Sequence, residues 1–253
     1  MLSDPSLKSV RWLDLACGRG QMIASIDKNL SSALRAKILY HAFDADQRYL
    51  REAEETANSA GFAHVATDVG ELVRLGRILA SDLRFDFITF TNTVHEVSPG
   101  VLAKVLVECV SRLTDRGCLF IYDMETVNPP ELGAIPWTST EFAEIVNALL
   151  GALGVNSYEP GVGHWQHSST EGWNVQIHRH YLGVGATTIL NACDSATAAV
   201  TRTMSELLNR KLLACEASLE SLTRFGAETP AEEDAKSRLL HTYWSLSRAR
   251  RGE

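Results

Sequence analysis

Between residues 10 and 125, short apolar runs alternate with longer stretches in which apolar residues recur every three or four positions. The short runs are Val10 to Leu15, Ile38 to Asp44, His64 to Thr67, Phe85 to Thr91 and Cys118 to Asp123. Each has the length and near-continuous hydrophobicity of a strand buried on both faces. The helical rhythm is clearest over Gln47 to Ala60 and over Val101 to Leu113, where Val101, Val105, Leu106, Cys109, Val110 and Leu113 fall on one face. Strand and helix in alternation predict βαβ units with right-handed crossovers, and so a doubly wound α/β fold.

After Asp123 the chain loosens into TVNPPELGAIPW, whose paired prolines cannot continue a helix or a central strand, so it reads as a loop over the carboxyl edge of the sheet. Thr138 followed by Glu141 is a capping box that opens a helix with Phe142, Ile145, Val146, Leu149 and Leu150 on its apolar face. Two more strands are predicted around Val155 to Tyr158 and Trp173 to Leu182, with the Gly/Ser-rich segment EPGVGHWQHSSTEG as a hairpin loop. From Gly185 on, glycine and proline nearly vanish, and apolar residues from Leu190 to Leu222 recur at helical spacing in one long amphipathic helix ended by Gly226. Thr229-Pro230-Ala231-Glu232 opens a second helix carrying Leu239, Leu240, Tyr243, Trp244 and Leu246. The expected organisation is a domain over residues 1–184 and a C-terminal helical hairpin over 185–253.

Composition narrows the class of protein. At 253 residues and 45% hydrophobic content the chain can bury a full core, with no need of disulfides or structural metal. Five cysteines, odd in number and never in a C-x-x-C pair, suit reduced buried thiols. A net charge of −7 removes the global attraction to nucleic acid and favours a small-molecule or protein partner. No stretch approaches the roughly 20 apolar residues of a membrane span, and the first ten residues lack a signal-peptide pattern, so a cytoplasmic location is expected.

The sharpest chemical signal is LDLACGRG, residues 13–20, between the first strand and the following helix. Its glycines let backbone approach a ligand and adopt positive φ. As a dinucleotide fingerprint it is defective, since Met22 and Ile23 stand where the third glycine belongs. The segment resembles motif I of the class I S-adenosylmethionine-dependent methyltransferases, and the likeness extends over about residues 10 to 182. The resemblance implies a Rossmann-like methyltransferase sheet with S-adenosyl-L-methionine (SAM) as cofactor. It places Asp14, Ala16, Gly18 and Gly20 at the methionine end, Asp44 on the ribose hydroxyls, Asp68 and the Val69 amide beside the adenine, and Asn92 under the cofactor. Asp46 is the rival to Asp44, but reads better as the cap of the next helix.

His95 is the main candidate for direct participation, because a histidine can take a proton near neutral pH, and Glu96 is the second. Tyr122, Asp123 and Glu125, at the end of the fifth strand, are candidates for the acceptor pocket, and Trp137, Trp165 and Trp173 for an apolar lid over it. His164, His167, His178 and His180 invite a metal reading, but surface histidines in a loop and on an edge strand explain them better, and no metal is expected. The Pro-Pro-aromatic signature of nucleobase amine methylation and the Pro-Cys of cytosine C5 methylation are both missing. The expected activity is methyl transfer to an oxygen or nitrogen of a small molecule or protein. The alternative is a catalytically weak methyltransferase-like scaffold acting through its C-terminal helices, which would serve a homodimer or a partner protein.

Overall fold

The computed structural model describes residues 8–127, 131–155, 158–167, 170–225 and 229–252. The chain enters through β1 (Val10–Leu15), α1 (Gln21–Asn29), a short α2 (Ser32–Arg35), β2 (Ile38–Asp44), α3 (Gln47–Ser59) and β3 (His64–Val69). It continues through a short α4 (Leu75–Ile78), β4 (Phe85–Thr91), α5 (Pro99–Ser111), β5 (Leu113–Met124) and α6 (Ser139–Ala152). A hairpin of β6 (Gly161–His167) and β7 (Thr170–His178) precedes the long α7 (Ala186–Phe225) and α8 (Pro230–Arg251).

The seven strands form one sheet in the order β3-β2-β1-β4-β5-β7-β6. The first five are parallel, while β7 runs antiparallel to β5 and to β6. Strand order reverses at β1 and β4, which opens a crevice at their carboxyl ends, where ligands bind in open α/β sheets. Period-two alternation sends Leu13, Leu15, Phe43, Ile88 and Phe90 into a large core that also holds apolar residues of α5, α6, α7 and α8. The opposite face carries Trp12, Tyr40 and Ala42 against Ile23 of α1 and Leu50, Ala53 and Ala57 of α3.

Local signals account for the helix boundaries. Asp46 caps α3 by accepting the Arg48 amide at 2.8 Å. Thr138 and Glu141 form the reciprocal capping box of α6, and Thr229 and Glu232 do the same for α8 behind Pro230 at the first helical turn. Lys211 of α7 pairs with Glu141 at 2.8 Å, tying the long helix to the start of α6.

Several expectations need correction. The segment assigned to a hairpin loop contains β6 itself, and neither Val155 nor Tyr158 lies in a strand, with residues 156–157 outside the described residues. The strand was hidden by its composition. Gly161 and Gly163 weaken the β signal, while Gly163 leaves room for the Asn174 side chain, whose amide nitrogen would lie 2.5 Å from a Cβ at that position. β5 begins at Leu113 because polar Thr114 to Gly117 form an irregularity between the Phe85–Leu113 and Phe87–Cys118 pairs. Trp137 and Trp173 are core residues, with Trp173 stacked on Phe142 at 4.4 Å and donating to the Trp137 carbonyl at 2.7 Å. Only Trp165 of that trio is exposed, beside Tyr122. The His167 side chain and Gly226 lie outside the described residues, and among those described no helix is long and apolar enough to cross a membrane.

Candidate active site

The loop from Ala16 to Gly20 joins β1 to α1 through three residues at positive φ: Ala16 at 49°, Gly18 at 52° and Gly20 at 82°. A Cβ on Gly20 would stand 2.8 Å from Ile23 Cδ1 and 3.3 Å from Ala53 Cα, so this position needs glycine for space as well as conformation. The loop is fastened to the end of β2. Cys17 N–H donates to the Phe43 carbonyl at 3.2 Å, and Gly18 N–H donates to Asp44 Oδ2 at 2.9 Å. Asp46 N–H donates to Asp44 Oδ1 at 2.8 Å. Each oxygen of Asp44 therefore receives one backbone donor and keeps acceptor capacity for another.

Asp44, Ala16 and Gly18 border a cavity of about 490 Å³ whose apolar side is formed by Phe43, Leu72, Val73, Val97 and Val101. These residues fit SAM: a carboxylate with free lone pairs suits a pair of ribose hydroxyls, and the apolar side suits a purine. Asp46 is the helix cap, with Arg48 hydrogen-bonded to its carboxyl and holding it down at about pKa 2.

Asp14 lies behind the loop. It is 1% exposed, and its oxygens accept from Tyr40 Oη at 2.9 Å and Thr89 Oγ1 at 2.6 Å, while Trp12 Nε1 donates to Thr89 at 2.7 Å. Burial pushes its pKa up to about 6, against the lowering effect of those two hydrogen bonds. Asp68 lies within β3 and contacts His41 Nε2 at 2.8 Å, and Val69 ends the strand half exposed. Gly70 to Val73, the next residues, are the ones that border the cavity. Asn92 is held at φ 53° with its N–H on the Tyr122 carbonyl at 2.9 Å, and its neighbour Thr93 reaches the lining.

His95 and Glu96 sit in the single turn that follows β4. One buried carboxylate, Asp123 at the end of β5, grips His95 twice, accepting its backbone N–H at 2.8 Å and contacting its Nδ1 at 2.7 Å. The side chains of His95 and Asp123 are 2% and 1% exposed. Burial works to lower the His95 pKa, but the bond to Asp123 and the charges of Asp123, Glu96 and Glu131 outweigh it and raise the value. Nε2 points away from Asp123, with Glu131 Oε2 at 3.4 Å and Glu96 Oε1 at 3.8 Å.

Glu131 is the site residue that sequence reasoning did not single out. Its signal was the proline-rich loop over the carboxyl edge of the sheet. That loop is drawn onto the site because Ile135 N–H donates to the His95 carbonyl at 2.7 Å and Gly133 N–H donates to Ser245 Oγ of α8 at 3.1 Å. Glu96, Glu131, Ser245 and Arg248 line a second cavity of about 340 Å³. Glu96 and Ser98 belong to both cavities. Glu125 is held by Ser139, whose N–H and hydroxyl donate to it at 3.0 and 2.8 Å, and it borders a third cavity with Glu131, His241 and Ser245.

The reversal of strand order, the antiparallel seventh strand and a strand-end carboxylate beside a glycine loop are features of the Rossmann-like fold of class I methyltransferases. Residues 13–117 match the family model described as a methyltransferase domain. No curated protein sequence matches the chain significantly. Among solved structures, the CurJ carbon methyltransferase aligns with a TM-score of 0.50 at 16% identity, covering 68% of this chain and 49% of that one. Magnesium protoporphyrin IX methyltransferase (ChlM) from Synechocystis PCC 6803, solved with bound SAH, aligns at 0.49 and 16% identity over 70% of this chain and 77% of its own. A SAM-dependent methyltransferase from Aquifex aeolicus aligns at 0.42 and 21% identity, over 68% of this chain and 84% of its own. The chain thus spans about half the length of the first of these structures.

Proposed function

We propose that this chain transfers a methyl group from SAM to an oxygen or nitrogen of a small-molecule or protein acceptor. The observation that carries the reading is Glu96, which borders both the cavity of Asp44 and the glycine loop and the cavity of Glu131, Ser245 and Arg248. A donor in the first and an acceptor in the second would meet at the His95–Glu96 turn.

Bound SAM supplies a methyl group on a sulfonium, whose carbon–sulfur bond breaks with its electron pair returning to sulfur. In-line displacement needs positioning above all, and the residues for it are at hand: Asp44 would hold the ribose, Ala16 to Gly20 would bring backbone close to the methionine end, and Leu72, Val73 and Val101 would enclose the adenine. The acceptor atom meets an imidazole flanked by carboxylates. His95, locked by Asp123, presents Nε2 to the proton that leaves a hydroxyl or ammonium, and Glu96 orients the group that carries it.

Isothermal titration with SAM and SAH, with NAD as control, tests the donor half. Micromolar binding of the first two and none of NAD is the expected result; no SAM binding by folded protein overturns the proposal. The acceptor half is tested by Glu96→Gln, which is expected to lower methyl transfer far more than SAM affinity.

A further inference from the structure

His95 Nε2, a Glu96 carboxylate oxygen and a Glu131 carboxylate oxygen lie within 4.8 Å of one another. The two distances from Nε2, 3.4 and 3.8 Å, are close to the roughly 3 Å between neighbouring ligands of an ion with bonds of about 2.1 Å, and the exposed glutamates can close the gap by small rotations. A pair of carboxylates alone would signify little. The second observation is the imidazole, which is nine-tenths buried and more, spends Nδ1 on Asp123, and aims Nε2 into the cluster with no hydrogen bond to it among the described residues. A carboxylate behind a histidine fixes the tautomer that leaves Nε2 with its lone pair outward, as the supporting carboxylate does for a metal-bound histidine.

We propose that His95, Glu96 and Glu131 form a divalent-cation site at the mouth of the acceptor cavity, with Asp123 as the residue that positions His95. One imidazole and two carboxylates are a mixed donor set that suits a first-row ion such as Mn²⁺ better than the all-oxygen shell of Ca²⁺ or the thiolate-rich shell of structural Zn²⁺. Three protein ligands leave open positions facing the 340 Å³ cavity, so the acceptor class is one that chelates through oxygen, a hydroxyl flanked by a second oxygen donor. The proposal rests on the methyl-transfer reading and refines the part His95 plays in it. In the metal-free protein Nε2 takes the proton itself. With the ion in place Nε2 is a ligand, the coordinated hydroxyl releases its proton to solvent, and the oxygen lone pair forms the bond to the methyl carbon as the carbon–sulfur pair returns to sulfur.

The test is titration of the full chain with Mn²⁺, followed by electron paramagnetic resonance and calorimetry, with SAM binding measured on the same preparations. Expected are one equivalent of Mn²⁺ bound with Kd below about 1 mM, and at least a tenfold weaker Kd in Glu131→Gln with SAM affinity unchanged. Asp123→Asn is expected to weaken Mn²⁺ by a similar factor while leaving both glutamates in place. Absence of stoichiometric Mn²⁺ binding to protein that binds SAM overturns the metal site alone. Mn²⁺ binding that Glu131→Gln leaves unchanged places the ion elsewhere and overturns it too. Failure of SAM binding refutes the methyl-transfer reading instead, and is seen separately.

Discussion

Replacing Asp44 with alanine separates a ribose-binding carboxylate from a merely structural one. In the free protein its two oxygens already accept Gly18 N–H at 2.9 Å and Asp46 N–H at 2.8 Å, so truncation removes those contacts as well as any made to ligand. Gly18 borders an open cavity and Asp46 is partly exposed, so both freed amides can turn to water, which keeps the loss of stability to about 1–2 kcal/mol, or a fall in Tm of roughly 2–8 °C. Two ribose hydroxyls donating to one carboxylate contribute about 1–2 kcal/mol each, so their loss amounts to about 2–4 kcal/mol, roughly a 30- to 1000-fold rise in Kd. The assay is calorimetric titration of SAH into wild type and Asp44→Ala, with circular dichroism and thermal melts to show that the variant is folded. An SAH affinity within about threefold of wild type, in a variant that melts cooperatively, would refute the ribose assignment. Asp46→Ala is the internal control: its carboxylate is occupied by Arg48 at the start of α3, so SAH affinity is expected to stay near wild type while Tm falls.

Further expectations concern other parts of the molecule. The Asp14 carboxyl is raised to about 6 by burial from a reference value of 3.8, so the folded state holds its proton more tightly than the unfolded chain does. Its contribution is therefore full below about pH 4 and is lost as pH rises toward 6, by up to about 3 kcal/mol; urea unfolding across this range should show Asp14→Asn losing that slope, and parallel curves would contradict it. In metal-free protein, Asp123→Asn removes the hydrogen bond and charge that hold the His95 pKa up, so an NMR titration should find the imidazole protonating at lower pH than in wild type. Arg112→Met strips a nearly buried guanidinium from Glu108 at 2.7 Å and from the carbonyls of Ala80 and Leu79 at 2.7 and 3.2 Å; a loss of about 3 kcal/mol in urea unfolding is expected. Ser245→Ala frees the Gly133 amide, and should raise the acceptor KM several-fold while SAH affinity stays constant.

The sheet was legible where burial on both faces leaves a simple pattern. β1, β2 and β4 begin and end at the residues expected from hydrophobic runs alone, and the caps at Asp46, Thr138 and Thr229 stand where Asx and Ser/Thr chemistry requires. The edge was not legible. β6 draws its stability from pairing with β7, so glycine and polar residues serve there as well as apolar ones, and periodicity carries little information. The cofactor cavity was half legible: a glycine loop and a strand-end carboxylate have local signatures, whereas the wall from Gly70 to Val73 has no distinctive composition. Asp123 and Glu131 come together with His95 only through the parallel pairing of β4 with β5 and the return of the proline-rich loop, contacts between residues 28 and 36 positions apart that spacing along the chain cannot show.

Ser245 and Arg248 reach the second cavity from α8, within the last ten residues of the chain, whereas everything that borders the first cavity lies between Ala16 and Val101. Synthesis therefore delivers every residue that borders the first cavity long before those that α8 adds to the second. A protease acting near the start of α8 would leave the first cavity's own residues in place while removing the side of the second that Ser245 and Arg248 form.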